Sequence, residues 1–239
     1  MSRAFVLLLA HPDDESFFAA GTIAQCVSQG VRVGLLCATR GERGATGDLC
    51  SIEELPAVRE AELREAARIV GIQELEFLPI EDQQLARAPI DQVRRAAVGM
   101  LRRLRPEVVF TFDPDGANQH ADHIAMSRFA MDGIAAAADP RWYPEEGPAH
   151  TVERVLWPST IRVWELGQTA NVENEPGIDY RIDIRAQRGL KEAALRAHRT
   201  QWRGLSRLFL GNPTAMDWEC FRSASGPRPA IVPADRIFS

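Results

Sequence analysis

The sequence predicts an α/β protein: a mostly parallel, doubly wound sheet with a C-terminal α+β elaboration. Three observations carry this reading. Short apolar runs alternate with amphipathic segments through residue 112, each run empties into a polar cluster, and prolines and glycines break the pattern after residue 138.

The first apolar run, residues 5–10, is short and unbroken, as expected of a strand buried on both faces. Residues 17–29 place Phe18, Ile23 and Val27 at near-helical spacing and stop at Gly30, a residue suited to closing a helix. Residues 31–38 give a second strand and hence a β-α-β unit with a right-handed crossover. After a glycine-rich loop over 40–47, Val58, Ala61, Glu62, Ala66 and Ile69 mark a helix closed by Gly71, and residues 74–78 give a third strand. Val93, Ala97 and Leu101 form one stripe of a helix over 90–104, followed by Pro106 and a strand over 108–112. A helix is expected over 123–138. Beyond Pro140, Pro144, Gly147 and Pro148, strands are expected over 152–157, 160–165 and 180–184, then a helix from 186 to about 208. The Gly- and Pro-rich tail reads as irregular. With no repeat and no long linker, one domain is expected over 1–239, with its core in 1–138 and the elaboration in 139–239.

With 45% apolar and 26% charged residues, the 239-residue chain can bury a real core without disulfide or metal staples. Lys and Arg number 28 against 33 Asp and Glu, a net charge of −5, which gives no electrostatic case for nucleic acid or an anionic membrane. No apolar run is long enough to span a bilayer. Cys26, Cys37, Cys50 and Cys220 lack C-x-x-C spacing and read as free thiols in a reducing compartment, so a cytoplasmic location is expected. The run Arg102-Arg103-x-Arg105 reads as a solvated helix end.

In open α/β sheets, ligands bind beyond the carboxyl ends of the strands. Those ends here carry His11-Pro12-Asp13-Asp14-Glu15, then Thr39-Arg40-Gly41-Glu42, then Ile80-Glu81-Asp82, and finally Asp113-Pro114-Asp115-Gly116 with His120-Ala121-Asp122-His123. Helix capping and ordinary loop polarity account for Arg40 and Asp115, but not for histidines at two strand ends. His11 and Asp14 lie three apart in a turn fixed by Pro12, which lets them converge on one ion. His120 and His123 have the spacing of neighbours on a helix face. Two histidines and a carboxylate with open positions suit catalytic zinc and equally a non-haem ferrous ion. No G-x-G-x-x-G follows the first strand, which excludes a dinucleotide site of that kind.

Taken in order, Ala10-His-Pro-Asp-Asp-Glu15, Thr39-Arg-Gly-Glu42, Arg59-x-x-Glu62-Leu63 and His120-x-x-His123 resemble the zinc-dependent de-N-acetylases of the LmbE and PIG-L type. The resemblance runs to about residue 130, with a weaker echo over 191–201. It implies a Rossmann-like sheet, a divalent metal, usually zinc, on His11, Asp14 and His123, and hydrolysis of an N-acyl group from a glucosamine-containing small molecule. It also implies that Asp13 serves as general base and then acid. His120 is expected to stay off the metal and carry positive charge near the developing oxyanion, with Asp122 holding one of the histidine rings. Arg40, Glu42, Arg59 and Asp82 match positions that resemble sugar-binding residues; for Arg59 the alternative is an ion pair with Glu62 on a solvated helix face. Asn118 stands where some members carry tyrosine, and its amide can donate to the substrate. His198 and Gln201 resemble a C-terminal signature that reaches the pocket or a neighbouring subunit; a surface histidine is the alternative. Fe2+ or another divalent ion in place of zinc, a ferrous oxygenase and a non-catalytic sugar binder complete the readings, and the family often forms homo-oligomers.

Overall fold

Ala4–Leu9 (β1) is buried at every position, which its unbroken apolar sequence requires. It lies between Arg32–Cys37 (β2) and Val108–Phe110 (β4), parallel to both, with Phe5 opposite Val33 on one side and Val108 on the other. Glu74–Phe77 (β3) extends the sheet beyond β2, and Arg154–Pro158 (β5) extends it beyond β4, again in parallel. The computed structural model describes residues 3–159, 178–209, 216–227, 229–230 and 234–238. Among them the sheet has seven strands in the order β3-β2-β1-β4-β5-β7-β6. Its last two members, Tyr180–Asp183 (β6) and Trp218–Ser225 (β7), run antiparallel to their neighbours. The doubly wound core and the mixed C-terminal addition are therefore one continuous sheet.

The helices follow from their apolar stripes. Asp14–Phe18 (α1) and Ala20–Ser28 (α2) are separated at Ala19, where the backbone leaves helical geometry, so the helix expected from Phe17 begins three residues earlier and is stepped. Leu55–Val70 (α3) buries Leu63, Ala66 and Val70 and closes on Gly71 at φ +87°. Ile90–Leu104 (α4) buries Val93, Ala97 and Leu101, and packs beside Ala121–Ala138 (α6). Gly116–Gln119 (α5) is a short turn ahead of α6, with Ala117 at φ +62°.

Three expectations are corrected. The helix expected over 186 to about 208 is two helices, Arg188–Ala197 (α7) and Trp202–Phe209 (α8), because the intervening turn is drawn inward by acidic side chains. Glu62 accepts from the Thr200 amide at 2.9 Å and from its hydroxyl at 2.7 Å, while Glu15 holds His198. The tail is not irregular throughout, since it contributes β7. Arg102 is not solvated: it is buried and donates to the carbonyls of Ala136, Ala137, Asp139, Tyr143 and Gly147, closing the end of α6 and the loop after it. The strand expected over 160–165 lies outside the described residues.

One buried ion pair ties the late strand to the early helices. Lys191 on α7 donates to Glu219 on β7 at 2.6 Å, and Glu219 also accepts the Gly21 and Thr22 amides of α2.

Candidate active site

The strand order reverses between β1 and β4, and the crevice beyond their carboxyl ends is where a doubly wound sheet leaves room for a ligand. His11 emerges directly after β1, and His120 and His123 arrive from the segment after β4. A cleft of about 270 Å³ opens there, with Asp13, Asn118 and His120 contributing polar groups and Phe17, Phe18 and Leu205 apolar ones.

Each ring nitrogen in the centre has an identifiable task. His123 places Nδ1 3.0 Å from the Gly116 carbonyl and is stacked on Phe112, with centroids 3.9 Å apart and planes 9° from parallel. Donation from Nδ1 leaves the lone pair on Nε2 pointing inward. His11 places Nε2 3.1 Å from Asp82 Oδ1 and 3.3 Å from Asp122 Oδ2, which commits its proton there and frees Nδ1. The two free nitrogens, His11 Nδ1 and His123 Nε2, lie 3.1 Å apart. Asp14 completes the group: Oδ1 is 3.3 Å from His123 Nε2, Oδ2 is 3.8 Å from His11 Nδ1, and Oδ2 also accepts the His11 amide at 2.8 Å.

This donor set fits a divalent cation. Tetrahedral ligands at about 2.0–2.1 Å from zinc stand about 3.3–3.4 Å from one another, close to the observed separations. Two inward lone pairs at 3.1 Å also repel unless a cation or a proton lies between them. Nitrogens of His11, His120 and His123 likewise lie within 4.8 Å of one another. The electrostatics agree with a cation-binding centre. Burial works against the charged form of His11, but the carboxylates of Asp122, Asp82 and Asp14 outweigh it and raise the ring to about 10. Burial works against the charge on Asp14 too, yet His123 and His11 bring it down to about 2.

Asp13 sits at φ +120° beside these groups. Burial pushes its carboxyl up to about 6, with Arg59 pulling it down and Asp14 pushing it further up. Its Oδ2 accepts from Arg59 Nη2 at 3.2 Å, and Oδ1 has no hydrogen bond among the described residues. His120 accepts the Asp122 amide on Nδ1 at 3.2 Å, so its neutral ring carries the proton on Nε2. Burial, His11 and His123 all lower its pKa, against the raising effect of Asp122 and Asp82, which favours the neutral ring over the cation expected from the sequence.

The remaining candidates divide. Arg59 lines the cleft, yet its guanidinium is committed to Gly41 O, Pro12 O and Asp13, not to Glu62. Asp82 also lines the cleft, but it turns its oxygens to His11 and the Arg43 amide. Asn118 is in the lining and accepts the His120 amide at 3.0 Å. Arg40 points away, donating to Glu60 at 2.6 Å and lying over Phe77. Glu42 accepts the Asp82 amide, and Asp122, wholly buried, accepts the Gln83 and Leu85 amides while holding His11. His198 is wholly buried, neither a surface residue nor part of the lining. Sequence reading missed Phe17, Phe18 and Leu205, whose apolar periodicity resembles any core face, and Arg43 and Gln83, which stand in no motif.

Comparison with known proteins gives the family and the fold. The GlcNAc-PI de-N-acetylase (PIG-L) family model matches residues 6–134. A 1D-myo-inositol 2-acetamido-2-deoxy-alpha-D-glucopyranoside deacetylase of Geodermatophilus obscurus is 33% identical, the match covering 84% of this chain and 83% of that protein. Among solved structures, a conserved protein from Thermus thermophilus superposes with a TM-score of 0.75 at 29% identity, covering 99% of this chain and 100% of that one. The N,N'-diacetylchitobiose deacetylase from Pyrococcus horikoshii superposes with a TM-score of 0.72 at 24% identity over 93% and 84% of the two chains, which speaks for the fold. A family model that matches more than half of the chain, together with a relative 33% identical over 84% of it, makes this chain a member of the GlcNAc-PI de-N-acetylase (PIG-L) family.

Proposed function

We propose that this protein is a zinc-dependent N-deacetylase acting on a glucosamine-containing small molecule, with His11, Asp14 and His123 as the metal ligands. The observation that carries the proposal is the pair of inward lone pairs on His11 and His123, closed by Asp14 and flanked by a carboxyl poised near 6. His11, Asp14 and His123 would hold a divalent ion there, which would supply Lewis acidity, lowering the pKa of water toward about 7 and polarising an acyl carbonyl.

The chain's own residues do the rest. Asp13 takes the proton of the attacking water on its unbonded Oδ1 and returns it to the departing amine, one carboxylate serving both steps in turn. His120 offers Nε2–H to the carbonyl oxygen as it gathers negative charge; a neutral donor already oriented by the Asp122 amide needs no reorganisation. Asp82 and Asp122 hold His11 at Nε2, so that Nδ1 is left turned toward His123 Nε2 and Asp14, where it would serve as a ligand. Phe17, Phe18 and Leu205 shed water from the acyl end, while Arg43, Asn118 and Gln201 meet sugar hydroxyls. The buried thiols of Cys26 and Cys37 fit the reducing compartment, and with it the cytoplasmic location, that the cysteine spacing suggests.

The test is release of acetate and free amine from N-acetylglucosaminyl-inositol and from simple N-acetylglucosaminides, under zinc and under ferrous iron, with and without dioxygen. Equal amine release without dioxygen is expected. A requirement for dioxygen, or no amine from any such compound with metal bound, overturns the proposal.

A further inference from the structure

Asp13 stands at φ +120° and ψ −22°, a conformation that an L-residue keeps only when its surroundings over-determine it. Its peptide is gripped from three sides. The Asp13 amide donates to Glu15 Oε2 at 3.2 Å, its carbonyl accepts the Phe17 amide at 2.9 Å, and Arg59 Nη2 donates to the preceding carbonyl of Pro12. Glu15 is wholly buried, and its other oxygen, Oε1, accepts from Ser16 Oγ and from His198 Nε2, the latter at 2.8 Å. His198 comes from the break between α7 and α8, 183 residues away, and is wholly buried too. Its Nδ1 has no partner among the described residues, so the ring is kept in the interior through its contacts at Nε2, with Glu15 and Ser16.

We propose that Glu15 and His198 form a positioning pair for Asp13. His198 fixes the Glu15 carboxylate through one oxygen, the other oxygen pins the Asp13 amide, and the pinned amide sets the direction of the Asp13 carboxylate over the reacting centre. Neither residue touches the cleft, and both act through Asp13. The pairing is distinct from the Arg59 contacts, which reach the Asp13 side chain and the Pro12 carbonyl rather than the Asp13 amide. It rests on the reading of Asp13 as base.

Two amides at position 198 separate this role from plain packing. The amide nitrogen of His198→Gln reaches the place of Nε2, whereas that of His198→Asn reaches only the place of Nδ1. With one metal per chain retained in both, His198→Asn is expected to lose about 10- to 100-fold in kcat at nearly unchanged KM, and His198→Gln to recover most of it. In an Asp13→Ala background His198→Asn is expected to cost nothing further, since the residue it serves is gone. Equal kcat for the two amides, or a loss that multiplies in full with that of Asp13→Ala, overturns the proposal. Should His198→Asn fail to fold, Glu15→Gln decides. With one acceptor oxygen it satisfies the Asp13 amide only by turning its NH2 toward Nε2, forcing the His198 proton onto the unpartnered Nδ1. A lower kcat with metal retained is then expected, and wild-type kcat overturns the pairing. Turnover retained in Asp13→Ala instead removes the base assignment itself, whereas an inactive Asp13→Ala beside a wild-type His198→Asn removes only the pairing.

Discussion

Arg59 Nη2 lies 3.2 Å from Asp13 Oδ2 and donates from the same nitrogen to the Pro12 carbonyl, so one guanidinium holds both the backbone and the side chain of the proposed base. The planar fork is needed: Nη1 reaches Gly41 O at 3.0 Å, and a Cβ on Gly41 would lie 1.9 Å from that Nη1. Arg59→Lys and Gly41→Ala are therefore both expected to lower kcat by about 10- to 100-fold with metal content intact, the first by losing the fork and the second by displacing it. Steady-state kinetics with metal analysis on the two variants checks this.

The pH profile should report Asp13. Its carboxyl is raised to about 6, chiefly by burial, and a base works only when deprotonated. Activity is therefore expected to rise with pH through about 6 and level off above it. Arg59 lowers this pKa, so in Arg59→Met the rising limb is expected to move to higher pH. A kcat/KM profile that stays flat between pH 5 and about 7 in the wild type contradicts the assignment. Asp13→Asn should keep one zinc per chain and lose about 10²- to 10⁴-fold in kcat.

Metal retention distinguishes the inner residues from those behind them. His11→Ala, Asp14→Ala and His123→Ala are each expected to be purified with little or no bound zinc. Asp122→Asn, which weakens the hold on His11 Nε2, is expected to bind zinc about 10- to 100-fold more weakly while still filling the site at high concentration. Competition with a chromophoric chelator gives the ranking. Treatment of the wild type with EDTA should abolish activity, and added zinc should restore it.

The buried pair of Lys191 and Glu219 predicts a stability effect away from the cleft. Both side chains are 2% exposed and 2.6 Å apart. Glu219→Ala removes the carboxylate that Lys191 and two α2 amides share, leaving a buried ammonium with the Phe17 carbonyl but no counter-charge from Glu219, and is expected to cost about 3–5 kcal/mol in urea denaturation. A change below about 1 kcal/mol would show that water or relaxation replaces the carboxylate.

The sheet's core was legible because parallel strands buried on both faces leave unbroken apolar runs, as Ala4–Leu9 does. The polar rim was legible because strand ends and chemistry coincide at His11 and His123. What sequence spacing does not carry is the direction of a polar side chain. Arg40, Arg59, Asp82 and His198 were all legible as polar groups near strand ends or in a signature, but only the folded chain separates those that line the cleft from those that hold a neighbour. The β7 strand was hidden for a related reason. Its inward positions include Glu219, whose burial depends on Lys191, 28 residues earlier, so the alternation of apolar and polar residues is broken where the strand is most enclosed. The break at His198–Gln201 is equally invisible, since it depends on Glu15 and Glu62 from the first half of the chain.

Lys191 is the chain's only lysine, and folding seals its ammonium between α7, β7 and the Phe17 carbonyl. The native surface consequently offers no side-chain amine to acylating reagents. Reaction at Lys191 requires the C-terminal part of the molecule to open, so slow labelling with an activated ester, followed by peptide mass analysis, would time that opening at a single atom. The protein thus carries its own probe of local unfolding, one that needs no engineered tag and that Glu219 governs directly.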